Sequence, residues 1–162
     1  MLFRSIAHDA LIDGSSIRRL GVEPVSLEQL LERSDFVSLH VPLTTDTTHL
    51  MNEATLALMR PNAYLINAGR GKLVDSNALL HALESDKLAG AGLDVFEDEP
   101  LPADSPLKGH PKVLHTPHSA WFSMEALDEA REKAVANVVA ALRGTRPKNL
   151  VNPEVLERGM GD

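Results

Sequence analysis

Three residues of complementary chemistry lie in the second half of the chain, each just past a short apolar run. Arg70 sits in Asn67-Ala68-Gly69-Arg70-Gly71, Glu99 in Phe96-Glu97-Asp98-Glu99-Pro100, and His118 in Thr116-Pro117-His118-Ser119-Ala120-Trp121. A guanidinium grips a carboxylate with two parallel hydrogen bonds and polarises the carbonyl next to it. An imidazole that titrates near neutrality gives a proton to a carbonyl oxygen and recovers it in the reverse direction. A carboxylate beside an imidazole fixes the orientation of the ring. Such a trio suits the interconversion of a 2-oxo acid and a 2-hydroxy acid, in which hydride reaches carbon and a proton reaches oxygen. Each residue also has a plainer reading: an arginine in a tight turn, an acid in a solvated stretch, a histidine capping a helix.

The elements that would position this trio alternate. Residues 4 to 9 read as a short strand ending in Asp9, followed by a turn at Asp13-Gly14 and an extended piece near Val22 to Val25. Ser26 N-caps a helix over Leu27 to Glu32, with Gln29 placed to complete a capping box. Asp35 to Val41 is a strand stopped by Pro42. Asn52 caps a helix to about Met59, and Ala63 to Asn67 is the next strand. Asp75 caps a helix ending near Lys87, with Leu79, Leu80 and Leu83 on one face. Ala91 to Phe96 and Val113 to Thr116 are strands, and a long helix runs from Met124 to about Arg143, stopped by Gly144. Its stripe of Ala134, Val135, Val138, Val139 and Leu142 suits core packing or a dimer contact. The acidic, proline-containing tract Glu97 to Lys112 reads as a surface loop. This rhythm predicts an α/β fold with a doubly wound parallel sheet, in which ligands bind outside the carboxyl ends of the strands. In dinucleotide-binding folds an acid ending such a strand, as Asp9 does, accepts hydrogen bonds from ribose hydroxyls and favours NAD over NADP, while its plainer reading is an N-cap or turn aspartate.

Composition removes several alternatives. With a net charge of −7 and no Lys/Arg-rich run, binding to nucleic acid through a basic face is not expected. There is no cysteine, hence no disulfide framework, thiolate nucleophile or Cys-based zinc site. The seven histidines show no H-E-x-x-H spacing, so no metal site is expected. No apolar run reaches membrane-spanning length, and the default compartment is the cytoplasm, or the nucleus for a eukaryotic relative.

Four separated blocks occur in a specific order: Asp35-Phe36-Val37-Ser38-Leu39-His40-Val41-Pro42-Leu43-Thr44, Leu65-Ile66-Asn67-Ala68-Gly69-Arg70-Gly71, Gly90-Ala91-Gly92-Leu93-Asp94-Val95-Phe96, and Thr116-Pro117-His118. From about residue 4 to about residue 150 the chain resembles the D-isomer-specific 2-hydroxyacid dehydrogenases. Pro117 to Ser123, with Trp121, looks most like the C-terminal binding protein and phosphoglycerate dehydrogenase-like branch. The resemblance implies a Rossmann-like NAD-binding domain and NAD as cofactor. It implies Arg70, Glu99 and His118 as catalytic residues, and it is the ground for choosing Glu99 over Glu97. On the cofactor side it implies Asp9, His40, Val41, Pro42, Thr47, Ala68, Gly69, Asp94 and Ala120. On the substrate side it implies Arg70 and Trp121, acting on a small 2-oxo or 2-hydroxy acid. Relatives are commonly dimers, so a homodimer is expected at full length.

The departure from the family pattern is equally specific. No G-x-G-x-x-G turn occurs in the sequence, although the family carries one before the point where Met1 falls. The expectation is therefore a doubly wound sheet truncated at the N-terminus, lacking its first strand and glycine-rich turn. Residues 1–150 would be a partial NAD-binding domain, and 151–162 a tail that packs on a substrate domain. In strand order 3-2-1-4-5-6 the first strand is central, so residues 4 to 9 and 35 to 41 should flank a vacant slot. The functional expectation is an NAD-dependent oxidoreductase acting on the CH–OH group of a D-2-hydroxy acid, present as a C-terminal fragment that lacks turnover alone. The alternatives are an NAD(H)-sensing transcriptional corepressor and an inactive remnant.

Overall fold

The structure, a computed structural model, describes residues 4–156. Its backbone separates into two units that meet at Ala120/Trp121. In the first unit the elements are β1 (Ile6–Ala7), α1 (Gly14–Arg19), β2 (Glu23–Pro24), α2 (Leu27–Arg33), β3 (Phe36–Leu39), α3 (Glu53–Leu58), β4 (Ala63–Asn67), α4 (Ser76–Glu84), β5 (Leu88–Leu93) and β6 (Val113–His115). A single-turn 3-10 helix, Gly71–Leu73, follows β4.

Two parallel sheets form. One pairs β1 with β2, and the other has the order β3-β4-β5-β6. β1 shares no ladder with β3, and β3 pairs only with β4 among the described strands. Register matters most at the carboxyl ends. Leu39 pairs with Asn67, Asn67 with Leu93, and Leu93 with His115. These four residues form one row, so the residues after them leave the sheet side by side. With strands spaced at about 4.8 Å, the row spans roughly 15 Å.

Strand geometry sets the burial. In β4, Ala63, Leu65 and Asn67 are buried while Tyr64 and Ile66 are exposed, as a period of two requires. Leu65 joins Leu31, Met51, Leu56, Met59, Leu73, Leu79, Leu83 and Leu88 in a core under α2, α3 and α4. On the opposite face Phe36 stacks on Tyr64 with centroids 5.2 Å apart, both rings exposed. The helix starts follow their caps: Ser26 and Gln29 make a capping box, and Asn52 and Thr55 make another.

Several boundaries differ from the sequence reading. The stretch expected as a turn at Asp13-Gly14 opens helix α1, because the Asp13 side chain accepts from the Ser15 amide and caps it. The strand expected over residues 4 to 9 is only Ile6–Ala7. The strand expected from Ala91 to Phe96 runs instead from Leu88 to Leu93. It starts early because α4 ends at Glu84 and Asp86 turns the chain with φ 57°. It ends early because Asp94 turns toward the loop after β6. The tract Glu97 to Lys112 is not wholly a surface loop, since Leu107 is 3% exposed and belongs to the core.

The second unit holds α5 (Met124–Leu142), N-capped by Ser123 and closed at Gly144 with φ 65°. Val135, Val138 and Leu142 of the apolar stripe are exposed. A 3-10 turn follows at Pro153–Leu156, so the first part of the expected tail is described, whereas 157–162 lie outside the described residues.

An unpaired parallel edge with an exposed aromatic pair beside it invites association with another chain. The purified chain is expected to self-associate as its concentration rises, measured by sedimentation velocity. A monomer that persists at high concentration and melts cooperatively contradicts this.

Candidate active site

The shared row of strand ends places four of the segments singled out from the sequence at one end of the β3–β6 sheet. His40-Val41-Pro42 follows β3, Ala68-Gly69-Arg70 follows β4, Asp94 follows β5, and Thr116 to Ala120 follows β6. The ladder continues past the assigned strands: the Asp94 amide donates to Asn67 O at 2.9 Å, Thr116 N to Leu93 O at 3.0 Å, and His118 N to Asp94 O at 2.8 Å.

Asp94 fixes the His118 segment. Its Oδ1 accepts from the Thr116 hydroxyl and from the Ser119 amide at 2.8 Å, and its Oδ2 accepts from the Ala120 amide at 2.9 Å. Burial disfavours the charge, yet the bonds from Thr116, Ala120 and Ser119 outweigh it and hold the carboxyl below its usual range. These bonds support a non-glycine residue at positive φ, since His118 has φ 52°. The held ring meets Glu99: His118 Nδ1 donates to Glu99 Oε2 at 2.8 Å. Glu99 Oε1 accepts from the Phe96 amide at 3.0 Å. The His118 bond and then the Phe96 bond lower the Glu99 pKa. The side chains of His118 and Glu99 keep 47% and 37% of their surface exposed, so solvent and small molecules reach the pair.

Arg70 is set by its neighbours. The buried Asn67 side chain accepts from the Gly69 amide at 3.1 Å and donates to Arg70 O at 2.9 Å. Gly71 then runs against the start of the Glu99 loop, where a Cβ would stand 1.7 Å from Phe96 O. Only glycine permits that approach. The Arg70 guanidinium itself donates from Nη1 to Gly69 O at 2.8 Å. The structure thus brings Glu99 and His118 into direct contact and puts Arg70 on the adjacent strand end, tied in through Gly71.

The remaining residues divide. Asp9 follows β1, and its Oδ1 accepts from the amides of Leu11 and Ile12 at 2.8 and 2.9 Å, forming a local turn. The His40 ring lies 2.9 Å from the Ser38 hydroxyl. Val41 packs on the core, and Pro42 O accepts from the Thr47 hydroxyl at 2.7 Å. Trp121 belongs to the second unit, where it is exposed and edge-on to Phe122. Two residues were not singled out as functional. His49 Nε2 donates to Glu97 Oε1 at 2.6 Å, and Glu97 Oε2 accepts from the Ser76 amide at 2.9 Å. The acid two residues before Glu99 is therefore engaged rather than solvated. No sequence spacing signals this pair, because 48 residues separate its members.

Residues 1–120 match the D-isomer specific 2-hydroxyacid dehydrogenase, NAD binding domain. The chain belongs to that family. It is 47% identical over 154 residues to a glyoxylate reductase of Korarchaeum cryptofilum, covering 95% of this chain and 46% of that protein. A solved Thermus thermophilus protein superposes with TM-score 0.85 at 40% identity, over 91% of this chain and 46% of the other. D-lactate dehydrogenase with NAD+ from Lactobacillus jensenii superposes with TM-score 0.82 at 31% identity, over 91% and 48%. The chain thus spans about half the length of the relatives it matches. The Rossmann-like parallel sheet and the NAD-binding character of the domain are those of the family. Nothing in these relatives favours the corepressor alternative or the C-terminal binding protein branch. Among the described residues, no helix is long and apolar enough to cross a membrane.

Asp94, Glu97 and Glu99 all have carboxyls held below their usual range. A carboxyl depressed by folding contributes stability above its unfolded pKa and loses it as pH falls through the folded pKa. Urea midpoints should therefore drop as pH falls below about 4, the ordinary carboxylate range. A midpoint that stays level through that window contradicts the network.

Proposed function

We propose that this chain supplies the NAD-binding and acid–base half of an oxidoreductase that reduces a 2-oxo acid to a D-2-hydroxy acid. The observation that carries the reading is the 2.8 Å contact between His118 and Glu99 beside the strand end that bears Arg70. In this reading His118 delivers the proton to the carbonyl oxygen and takes it back in the reverse reaction. Glu99 orients the ring through its bond to Nδ1. Arg70 exchanges its bond to Gly69 for a bidentate grip on the substrate carboxylate. Asp94 keeps His118 in place through the Thr116–Ala120 segment.

The residues along the strand ends suit a dinucleotide. His40 and Pro42, just past β3, and Ala68, just past β4, are exposed at the end of the sheet where such folds bind nucleotides. They, with Val41, Thr47, Gly69 and Ala120, would line its path, and Asp9 would offer Oδ2 to ribose hydroxyls, favouring NAD. When bound, the nicotinamide supplies the hydride. Asp94 lies next to that path, but its hydrogen bonds in the structure serve the His118 segment. Glyoxylate is the first substrate to test, because the relative from Korarchaeum cryptofilum is named for it. A substrate-facing Trp121, a cytoplasmic location and a homodimer complete the reading, with residues 1–150 acting as the cofactor domain and 151–162 as a tail that docks on a substrate domain.

Two measurements test it. NADH should quench the fluorescence of Trp121, the single tryptophan. Residues 4–150 grafted into the matching span of the Korarchaeum cryptofilum glyoxylate reductase should reduce glyoxylate with NADH. His118→Gln in that chimera should lower kcat by about 10²- to 10⁴-fold. An active chimera indifferent to His118→Gln overturns the reading.

A further inference from the structure

Glu97 has no part in the acid–base pair, yet it touches both segments that build the site. Its backbone lies in the Glu99 loop, next to Phe96, whose amide donates to Glu99 and whose carbonyl sits against Gly71. Its side chain reaches the other way. Oε2 accepts from Ser76 at the start of α4, the helix entered directly from the Arg70 turn. Oε1 accepts from His49, a residue held at φ 53° whose amide donates to Lys72 O at 2.8 Å. Met51 ties the turn from Arg70 to Ser76 through its backbone, its amide donating to Leu73 O at 2.9 Å and its carbonyl accepting from the Asp75 amide at 2.9 Å, and two further links, through His49 and Ser76, converge on the Glu97 carboxylate.

We propose that Glu97 is a positioning residue that locks the Arg70-bearing turn to the Glu99-bearing loop, setting the guanidinium against the imidazole–carboxylate pair. The inference rests on the functional reading above for its purpose, while its geometry can be tested without cofactor or substrate. Glutamine at 97 keeps an acceptor for Ser76 and offers an amide to His49. Alanine removes both bonds, and aspartate keeps the charge but falls a methylene short of both partners.

The test compares the 162-residue chain with its Glu97→Gln, Glu97→Asp and Glu97→Ala variants by NMR. Amide hydrogen exchange is read at Gly69 to Ser76 and at Phe96, and the side-chain carboxyl of Glu99 is titrated. In Glu97→Ala, exchange at these amides should rise roughly tenfold while Leu65 and Ala91 stay protected. The Glu99 carboxyl should move up toward its ordinary range as the Phe96 bond loosens. Glu97→Gln should restore both readouts, and Glu97→Asp should behave like Glu97→Ala and replace it should the alanine variant fail to fold. Unchanged exchange and titration, or a loss of protection spread evenly over the core, overturns the proposal. A chain that passes this test but does not bind NADH refutes the functional reading and leaves the Glu97 lock standing.

Discussion

A buried carboxylate must be given donors, because its desolvation is otherwise uncompensated. Asp94 is 6% exposed at the carboxyl end of a central strand. Its donors come from Thr116, Ser119 and Ala120, which bracket His118. Satisfying one charge therefore fixes a whole segment, including a histidine backbone that ordinary sterics disfavour. The His118–Glu99 contact follows from that placement. The aligned ends of β3 to β6 then bring the Arg70 turn alongside. Remove the burial of Asp94 and the donors have no reason to converge.

The two acids of the Phe96–Glu99 loop show how local geometry divides labour within one sequence stretch. Glu99 points to an exposed imidazole and stays accessible. Glu97, two residues earlier, points the other way and is spent on Ser76 and His49. Each answers to a histidine at positive φ, and the two histidines lie on opposite sides of the loop in sequence. Composition alone would make both acids solvent ornaments.

The fold was legible where periodicity and capping chemistry coincide. Ser26 with Gln29, Asn52 and Asp75 announced three helices, and the short apolar run from Ala63 to Asn67 announced a strand. Helix α1 was not legible, since Gly14-Ser15-Ser16 reads as a turn until the Asp13 cap is seen. The start of β5 was masked by Gly90 and Gly92, which weaken any strand pattern. For the site, the types and order of Arg70, Glu99 and His118 were readable, and the family pattern chose Glu99 over Glu97. What Asp94 and Glu97 do was not, because hydrogen bonds across 21 to 48 residues leave no mark in local spacing.

Gly71 carries a consequence for molecular selectivity. Since main chain meets main chain there, the base of Arg70 has no slack, and only its side-chain torsions are free to respond to a visitor. The guanidinium already satisfies one hydrogen through Gly69 O. Four N–H hydrogens remain, enough to offer two parallel donors to a planar, forked anion without moving the backbone. In the proposed reading a flat, forked anion is therefore met by reorientation of the guanidinium alone, with the turn beneath it staying in place.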